Sequence, residues 1–249
     1  MKTRLITFLT SILLLTSLSL SSQNDLRIMT YNIRNGIGMD MKSDYKRTAN
    51  VINKYHPDIV AVQEVDSVTN RSNKRFVLGE LSKLTGMYYY YAPAIDYDGG
   101  KYGTGLLSRE KPIRTSYMVL PGREEQRVLL IAEFDKFVFL GVHLSLTEED
   151  QVKSIEMIKQ ELAKIKKPVF VAGDFNAHPD SEVIRELKTS FKVLSSSNYT
   201  FPADKPSECI DYIALDKRTY KSRLFRNSFV VDEPEASDHR PVIVDVKFP

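Results

Sequence analysis

Short apolar runs recur along this chain, and most of them end in, or begin beside, a residue that can carry chemistry. They lie at 26–31, 59–65, 88–92, 105–108, 129–134, 137–143, 169–172, 210–215, 225–231 and 242–248. Each has the length and the β-branched and aromatic content of a strand. Asp135-Lys136 stands between two of them and reads as a hairpin turn. Helical spacing falls between others. It covers 45–55 after a possible cap at Ser43, then 74–84, and 181–187 after a cap at Asp180. The strongest case is 147–165. Thr147 can cap it, Glu148, Glu149 and Asp150 suit the positive end of a helix, and Ile155, Ile158, Leu162 and Ile165 make one stripe. Strands with hairpins and interleaved helices predict an α/β sandwich, with helices outside packed mixed sheets.

The first 22 residues are different. Lys2 and Arg4 precede an apolar stretch from Leu5 to Leu20, with Ser19 and Ser21 as small residues at the end. This is the pattern of a secretory signal peptide; the alternative is an uncleaved membrane anchor, for which the stretch is short and diluted by Ser and Thr. It predicts an exported protein, periplasmic or secreted, with one domain over 25–249. A single cysteine, Cys209, allows no internal disulfide and reads as a packed small residue. Net charge is only +3, and Lys2 and Arg4 belong to the leader, so no basic excess marks a dedicated nucleic-acid binder.

The residues at the strand ends share a chemistry. Asn32 ends the first run, Glu64 stands near the end of the second, and His143 closes the sixth. Asp174 and Asn176 follow the seventh, Asp211 opens the eighth, and Asp238-His239 immediately precedes the last. Taken singly, each has a plain reading as a cap, a turn residue or an edge residue. Together, Asn32, Glu64, Asp174, Asn176 and Asp238 are hard oxygen donors of the kind Mg²⁺ takes. No Cys/His cluster has zinc spacing. His143 and His239 can move protons or donate to phosphate, and Asp211 can orient an imidazole. Strand ends converge on a sheet edge, and a metal, a base and donors on one edge are what phosphoryl transfer needs. No G-x-S-x-G elbow occurs, which sets aside a serine hydrolase.

In order, the stretches TYNIR (30–34), VQEVD (62–66), GLLSR (105–109), GVHLS (141–145), GDFNAHP (173–179), IDYI (210–213) and SDHRPV (237–242) resemble the signatures of the endonuclease/exonuclease/phosphatase family. That is the superfamily of DNase I, abasic-site endonucleases, neutral sphingomyelinases and inositol polyphosphate 5-phosphatases. The resemblance implies a DNase I-like four-layered α/β sandwich and Mg²⁺-dependent phosphoester hydrolysis, with Mn²⁺ as a substitute. It implies Glu64 as the principal metal carboxylate, with Asn32 and Asp238 beside it. It implies His239 as the catalytic imidazole oriented by Asp211, Asp174 on the attacking water, and Asn176 and His143 on the scissile phosphate. Either Asp174 or His239 would be the base.

The repair branch of that family carries a tyrosine four residues before the second Gly of its GxGLLSR-like stretch. Here that position is Lys101, and Tyr102 is its neighbour, so either can contact phosphate. Arg123 and Arg127 are either phosphate grips or part of a solvated charged loop. Tyr88-Tyr89-Tyr90-Tyr91 reads as a strand with alternate rings buried rather than a stacking platform. His56 and His178 read as structural or exposed. These readings predict an exported phosphodiesterase, acting as a monomer without a stable protein partner. Its substrate would be nucleic acid, a phospholipid head group or a glycan-linked phosphodiester. The alternatives are a phosphomonoesterase and a non-catalytic binding module on the same fold.

Overall fold

The computed structural model describes residues 25–247, so residues 1–22, which the sequence predicts as a signal peptide, lie outside the described residues. Twelve strands form two six-stranded sheets among the described residues. The first sheet has the order β11-β12-β1-β2-β4-β3. Its members are β1 (Asp25–Asn32), β2 (Ile59–Ser67), β3 (Tyr88–Tyr97), β4 (Gly100–Ser108), β11 (Phe225–Val230) and β12 (Val242–Lys247). The second has the order β5-β6-β7-β8-β10-β9. It is built from β5 (Arg114–Leu120), β6 (Arg127–Glu133), β7 (Val138–His143), β8 (Val169–Asp174), β9 (Phe191–Val193) and β10 (Asp211–Asp216). Both sheets are mixed, each with one parallel pair, β1–β2 and β7–β8, among antiparallel neighbours.

Four helices cover the outer faces: α1 (Tyr45–Tyr55) and α2 (Val77–Thr85) on the first sheet, α3 (Glu148–Lys164) and α4 (Glu182–Ser190) on the second. The layers follow from alternation along the strands. Ile28, Ile59, Ala61, Leu106, Phe139, Phe170, Ile213 and Val244 point inward and fill the space between sheets. Met29, Val60, Val62 and Leu107 point outward and meet Ile52, Leu78 and Leu81 of α1 and α2. On the other side Leu140, Val142, Val169 and Val171 meet Ile155, Ile158, Leu162, Ile184 and Leu187. The result is the α/β sandwich that the strand and helix pattern predicts, in the four layers that the resemblance implies.

Several local expectations change. The cap of α1 is Asp44, whose carboxylate accepts from the N–H groups of Lys46 and Arg47 at 3.0 and 3.1 Å, and not Ser43. Ser181, not Asp180, caps α4, accepting from the Ile184 N–H at 3.3 Å. Thr147 precedes α3 with no side-chain cap bond. Strands β5 and β9 were not expected from the sequence; β5 is a half-exposed edge strand and β9 has three residues, so neither carries a full apolar period. Of the four consecutive tyrosines, Tyr88 and Tyr89 are exposed, while Tyr90 and Tyr91 pack partly into the two cores on opposite sides of β3. Neighbours along a strand face opposite ways, so the rings divide between two layers rather than alternating in and out of solvent. Asp135-Lys136 does form the β6–β7 turn, with the Phe134 N–H donating to the Phe137 carbonyl at 2.9 Å. Cys209 is buried.

The topology places the chemistry. The parallel pairs β1–β2 and β7–β8 end at one edge, with Asn32, Glu64, His143 and Asp174 at or near their C-terminal ends. The antiparallel neighbours β10 and β12 begin at that same edge, with Asp211 opposite Asp174 and Asp238-His239 just ahead of Val242. A residue at the end of a parallel strand and one at the start of its antiparallel neighbour are adjacent by construction. Gly173 allows β8 to reach this edge. A Cβ there would lie 2.0 Å from the Val142 carbonyl oxygen of the adjacent strand. Gly173→Ala should therefore destabilise the fold by about 3 kcal/mol through overpacking against backbone, read as a lowered denaturation midpoint.

Candidate active site

The two sheets meet at a cleft of about 450 Å³ lined by Glu64, Tyr102, Glu124, Glu125, Arg127, His143, Leu146, Asp174, Asn176, Phe201, Asp238 and His239. Glu64 reaches it through a local distortion. The pairing of β2 with β4 slips between Val62 and Val65, and Glu64 takes a left-handed backbone with φ 58°. This bulge breaks the strict alternation, so that Glu64 faces the cleft instead of α1 and α2. A left-handed glutamate is strained, and such strain concentrates at functional sites. Asn176 is likewise left-handed, at φ 49°. Its N–H donates to Asp174 Oδ1 at 2.9 Å, and its amide donates to the Leu144 carbonyl at 3.0 Å.

Asp174 is the hub. Asn32 Nδ2 donates to Asp174 Oδ2 at 3.1 Å and to Glu64 Oε1 at 3.0 Å, joining the two sheets. Nε2 atoms of His143 and His239 each lie 3.7 Å from the same Asp174 oxygen, approaching from β7 on one side and the β12 approach on the other. His239 Nδ1 bonds Asp211 Oδ2 at 3.0 Å, and the same oxygen accepts from Thr200 Oγ1 at 2.6 Å. Phe201 packs on the His239 ring with centroids 4.8 Å apart. Ser237 Oγ donates to the Asn32 carbonyl at 2.8 Å, tying the SDHRPV loop to the end of β1.

The two imidazoles are driven apart electrostatically. Burial alone would depress the His239 pKa, but the carboxylates of Asp211 and Asp174 outweigh it and bring it up to about 10. His239 is thus an imidazolium at neutral pH. His143 is pushed well below its ordinary value by burial, then by the nearby Arg127 and His239 charges. Arg127 Nη1 sits 3.2 Å from His143 Nδ1. A guanidinium can only donate, so Nδ1 is the acceptor and the ring proton sits on Nε2, facing Asp174. Burial and the neighbouring Asp211 raise the Asp174 carboxyl to about 7, against the opposing pull of His239. Burial also raises Glu64, opposed by its hydrogen bond from Asn32.

These directions fix a pH dependence of stability in the cation-free protein. A raised histidine contributes stability that is complete below its ordinary value of 6.5 and is lost as pH rises through about 10. His143 opposes this only near and below pH 6.5, where its unfolded form gains a proton that the folded form refuses. In EDTA the denaturation midpoint should fall from pH 7 to pH 9.5, and the slope should shrink in His239→Gln; a midpoint that rises over that interval contradicts this charge arrangement.

Among the described residues, Asp174, Asp211 and His239 offer ligand atoms all within 4.8 Å of one another, a cluster able to hold a divalent cation. The residues that the resemblance implies as ligands lie beside it: Glu64 and Asp238 line the same cleft, and Asn32 bonds Glu64 at 3.0 Å. Of the five carboxylates that line the cleft, Glu64, Glu124, Glu125, Asp174 and Asp238, burial raises Glu64 and Asp174, as expected where negative charge is held away from water. Arg34, 3.4 Å from Asp238, is a partial counter-charge. This hard oxygen set fits a small divalent cation. Asn32 meets the carboxylates through its N–H₂ group, while its Oδ1 accepts from the Arg34 N–H at 3.1 Å. Binding a cation through Asn32 requires that amide to turn over.

The eight residues expected at the centre therefore converge. Of the three expected at its margin, Tyr102 lines the cleft, with its hydroxyl pKa pushed well up by burial and by Glu64 and Glu125. Lys101 does not. It lies on the opposite face of β4, paired with Asp96 at 2.5 Å in a separate open groove, because adjacent strand residues alternate faces. Arg127 is buried at the cleft, but its guanidinium is engaged by Glu125 at 2.7 Å and by His143. Arg123 turns away to bind Glu149 and Asp150. His178 is exposed, and His56 is the left-handed C-cap of α1. Sequence reasoning missed Glu124, Glu125, Thr200 and Gln151. Gln151 reaches from α3 to the carbonyls of Ser145 and Asn176, at 2.6 and 2.8 Å, and fixes two loops of the site. Only the acids beside Arg123 and Arg127 left a signal, and it read as a charged loop.

Comparison with known proteins bears on the fold and the family. A protein of Caenorhabditis elegans, F14F9.5, uncharacterized, is 26% identical over 221 residues, 77% of this chain. The chain spans 65% of that relative's length. The crystal structure of an endonuclease/exonuclease/phosphatase from Bacteroides vulgatus superposes with a TM-score of 0.74 at 21% identity, covering 91% of this chain and all of that one. A mannosyl-6-phosphatase of Bacteroides thetaiotaomicron superposes with a TM-score of 0.71 at 18% identity, over 90% of this chain and 100% of that one. The model of the endonuclease/exonuclease/phosphatase family matches residues 29–239, and the chain belongs to that family of phosphoester hydrolases.

Proposed function

We propose that the chain is an exported, Mg²⁺-dependent phosphodiesterase in which Asp174 and His239 share the proton work. The observation that carries this reading is the line Asp211–His239–Asp174, with contacts of 3.0 and 3.7 Å. Glu64 and Asp238, with Asn32 once its amide turns, would hold the cation, which when bound neutralises phosphoryl oxygens and lowers the cost of charge build-up.

The residues of the chain supply the rest. Asp174, raised to about 7, is matched to accept a proton from the attacking water near neutral pH. The water oxygen bonds to phosphorus as the P–O bond to the alcohol breaks. His239, kept charged by Asp211, supplies the proton to the departing oxygen, and Asp174 then returns one to His239. His143 and Asn176 donate to the phosphoryl oxygens, His143 through the Nε2–H that Arg127 imposes. Tyr102 faces the same space. Export is supported by the Lys2, Arg4 and Leu5–Leu20 pattern of the leader.

The diester preference is tested with bis-p-nitrophenyl phosphate beside p-nitrophenyl phosphate in Mg²⁺. Faster cleavage of the diester supports the reading. Cleavage of the monoester alone converts the assignment to a phosphomonoesterase.

A further inference from the structure

One wall of the cleft is not used by the chemistry above. Leu146 lines the mouth and is 68% exposed, the most exposed large hydrophobic side chain among the described residues. It sits on a loop that is fixed at almost every polar group. Glu124 Oε1 accepts from Ser145 Oγ at 2.6 Å and from the Leu146 N–H. The other Glu124 oxygen accepts from Thr147 Oγ1 at 3.5 Å. The Thr147 N–H donates to Ser145 Oγ at 3.0 Å, and buried Gln151 holds the Ser145 carbonyl. Ser145 itself is fully buried. A leucine held rigidly in water gains nothing for the fold; it gains when something apolar covers it.

The charges around it narrow what that something is. Five carboxylates line the cleft: Glu64, Glu124, Glu125, Asp174 and Asp238. Its cations are already engaged, Arg127 by Glu125 at 2.7 Å and His239 by Asp211 at 3.0 Å, and no lysine lines it. A polynucleotide needs a run of free Lys or Arg to follow its backbone. An acidic rim without one repels every phosphate beyond the one at the reaction centre.

Resting on the phosphodiesterase reading, we propose that the cleft takes a small phosphodiester whose non-leaving substituent is an uncharged, apolar-faced ring seated on Leu146, and that it refuses a polyphosphate backbone. Leu146 is then a specificity residue, and Glu124 positions it.

The test uses esters with one leaving group, p-nitrophenol, and different second substituents: methyl, benzyl and thymidine-5′. The wild-type chain should favour benzyl over methyl by about tenfold in kcat/KM, the value of one modest apolar contact. In Leu146→Ser that ratio should collapse toward one, and in Leu146→Met it should persist. Both variants should melt with the wild type, since the side chain is exposed. A wild-type ratio near one, or a ratio unchanged in Leu146→Ser, overturns the proposal while leaving the phosphodiesterase reading intact. So does cleavage of a ten-nucleotide single strand faster than the thymidine ester with a steep loss in salt. No hydrolysis of any ester removes the phosphodiesterase reading, and the leucine seat falls with it.

Discussion

Replacing Glu64 or His239 by alanine should each lower phosphodiester turnover by at least about a hundredfold. The two losses have different causes, and a second measurement separates them. Glu64 stands in the carboxylate set that fits a cation, aimed there by a bulge with φ 58°. Its removal should raise the Mg²⁺ concentration needed for half-maximal rate. Two carboxylates, Asp211 and Asp174, hold His239 charged at neutral pH, so its removal should lower kcat and leave the cation requirement nearly where it was. Folding should survive both changes, because neither residue belongs to the three apolar clusters that hold the layers together. Near wild-type rates in both variants contradict the proposed roles.

Asp211→Asn should be almost as damaging as loss of the imidazole, on the order of a thousandfold in kcat. Asp211 Oδ2 accepts two bonds, from His239 Nδ1 at 3.0 Å and from Thr200 Oγ1 at 2.6 Å. It therefore fixes the ring proton on Nδ1 and supplies much of the charge that keeps the ring protonated. An asparagine of the same shape either turns its N–H₂ toward Nδ1, forcing the other tautomer, or keeps the bond without the charge. In either case His239 loses its proton at lower pH, so the alkaline limb of the rate profile should move down. Thr200→Val should move the same limb by less, because the carboxylate is then under-bonded but still present.

Much of the site was legible because it sits at strand ends. Strands announce themselves by apolar runs, and the polar residue that closes or opens a run is necessarily at an edge of a sheet. Asn32, His143, Asp174, Asp211 and Asp238-His239 could be found that way before any contact was known. Glu64 was found by its place near the end of a run, but the sequence does not show which way it faces. In a regular strand it faces α1 and α2, and only the slipped pairing of β2 with β4, a contact between distant segments, turns it inward. The choice between Lys101 and Tyr102 depended on the phase of β4, which its own sequence does not set. Glu124 and Gln151 were invisible for a different reason. They act by holding the backbone of a loop brought to them by the packing of α3 on the second sheet. The exposure of Leu146 is a property of that loop and of no local pattern.

The measurement that tests the central claim most directly is hydrolysis of bis-p-nitrophenyl phosphate by the purified chain in Mg²⁺, after EDTA, and after Mg²⁺ is restored in excess. The account predicts turnover in Mg²⁺, its loss in EDTA and its return with the cation, with a cycle at least about a hundredfold smaller in Glu64→Ala. Equal rates with and without the cation, or a full cycle in Glu64→Ala, would contradict it.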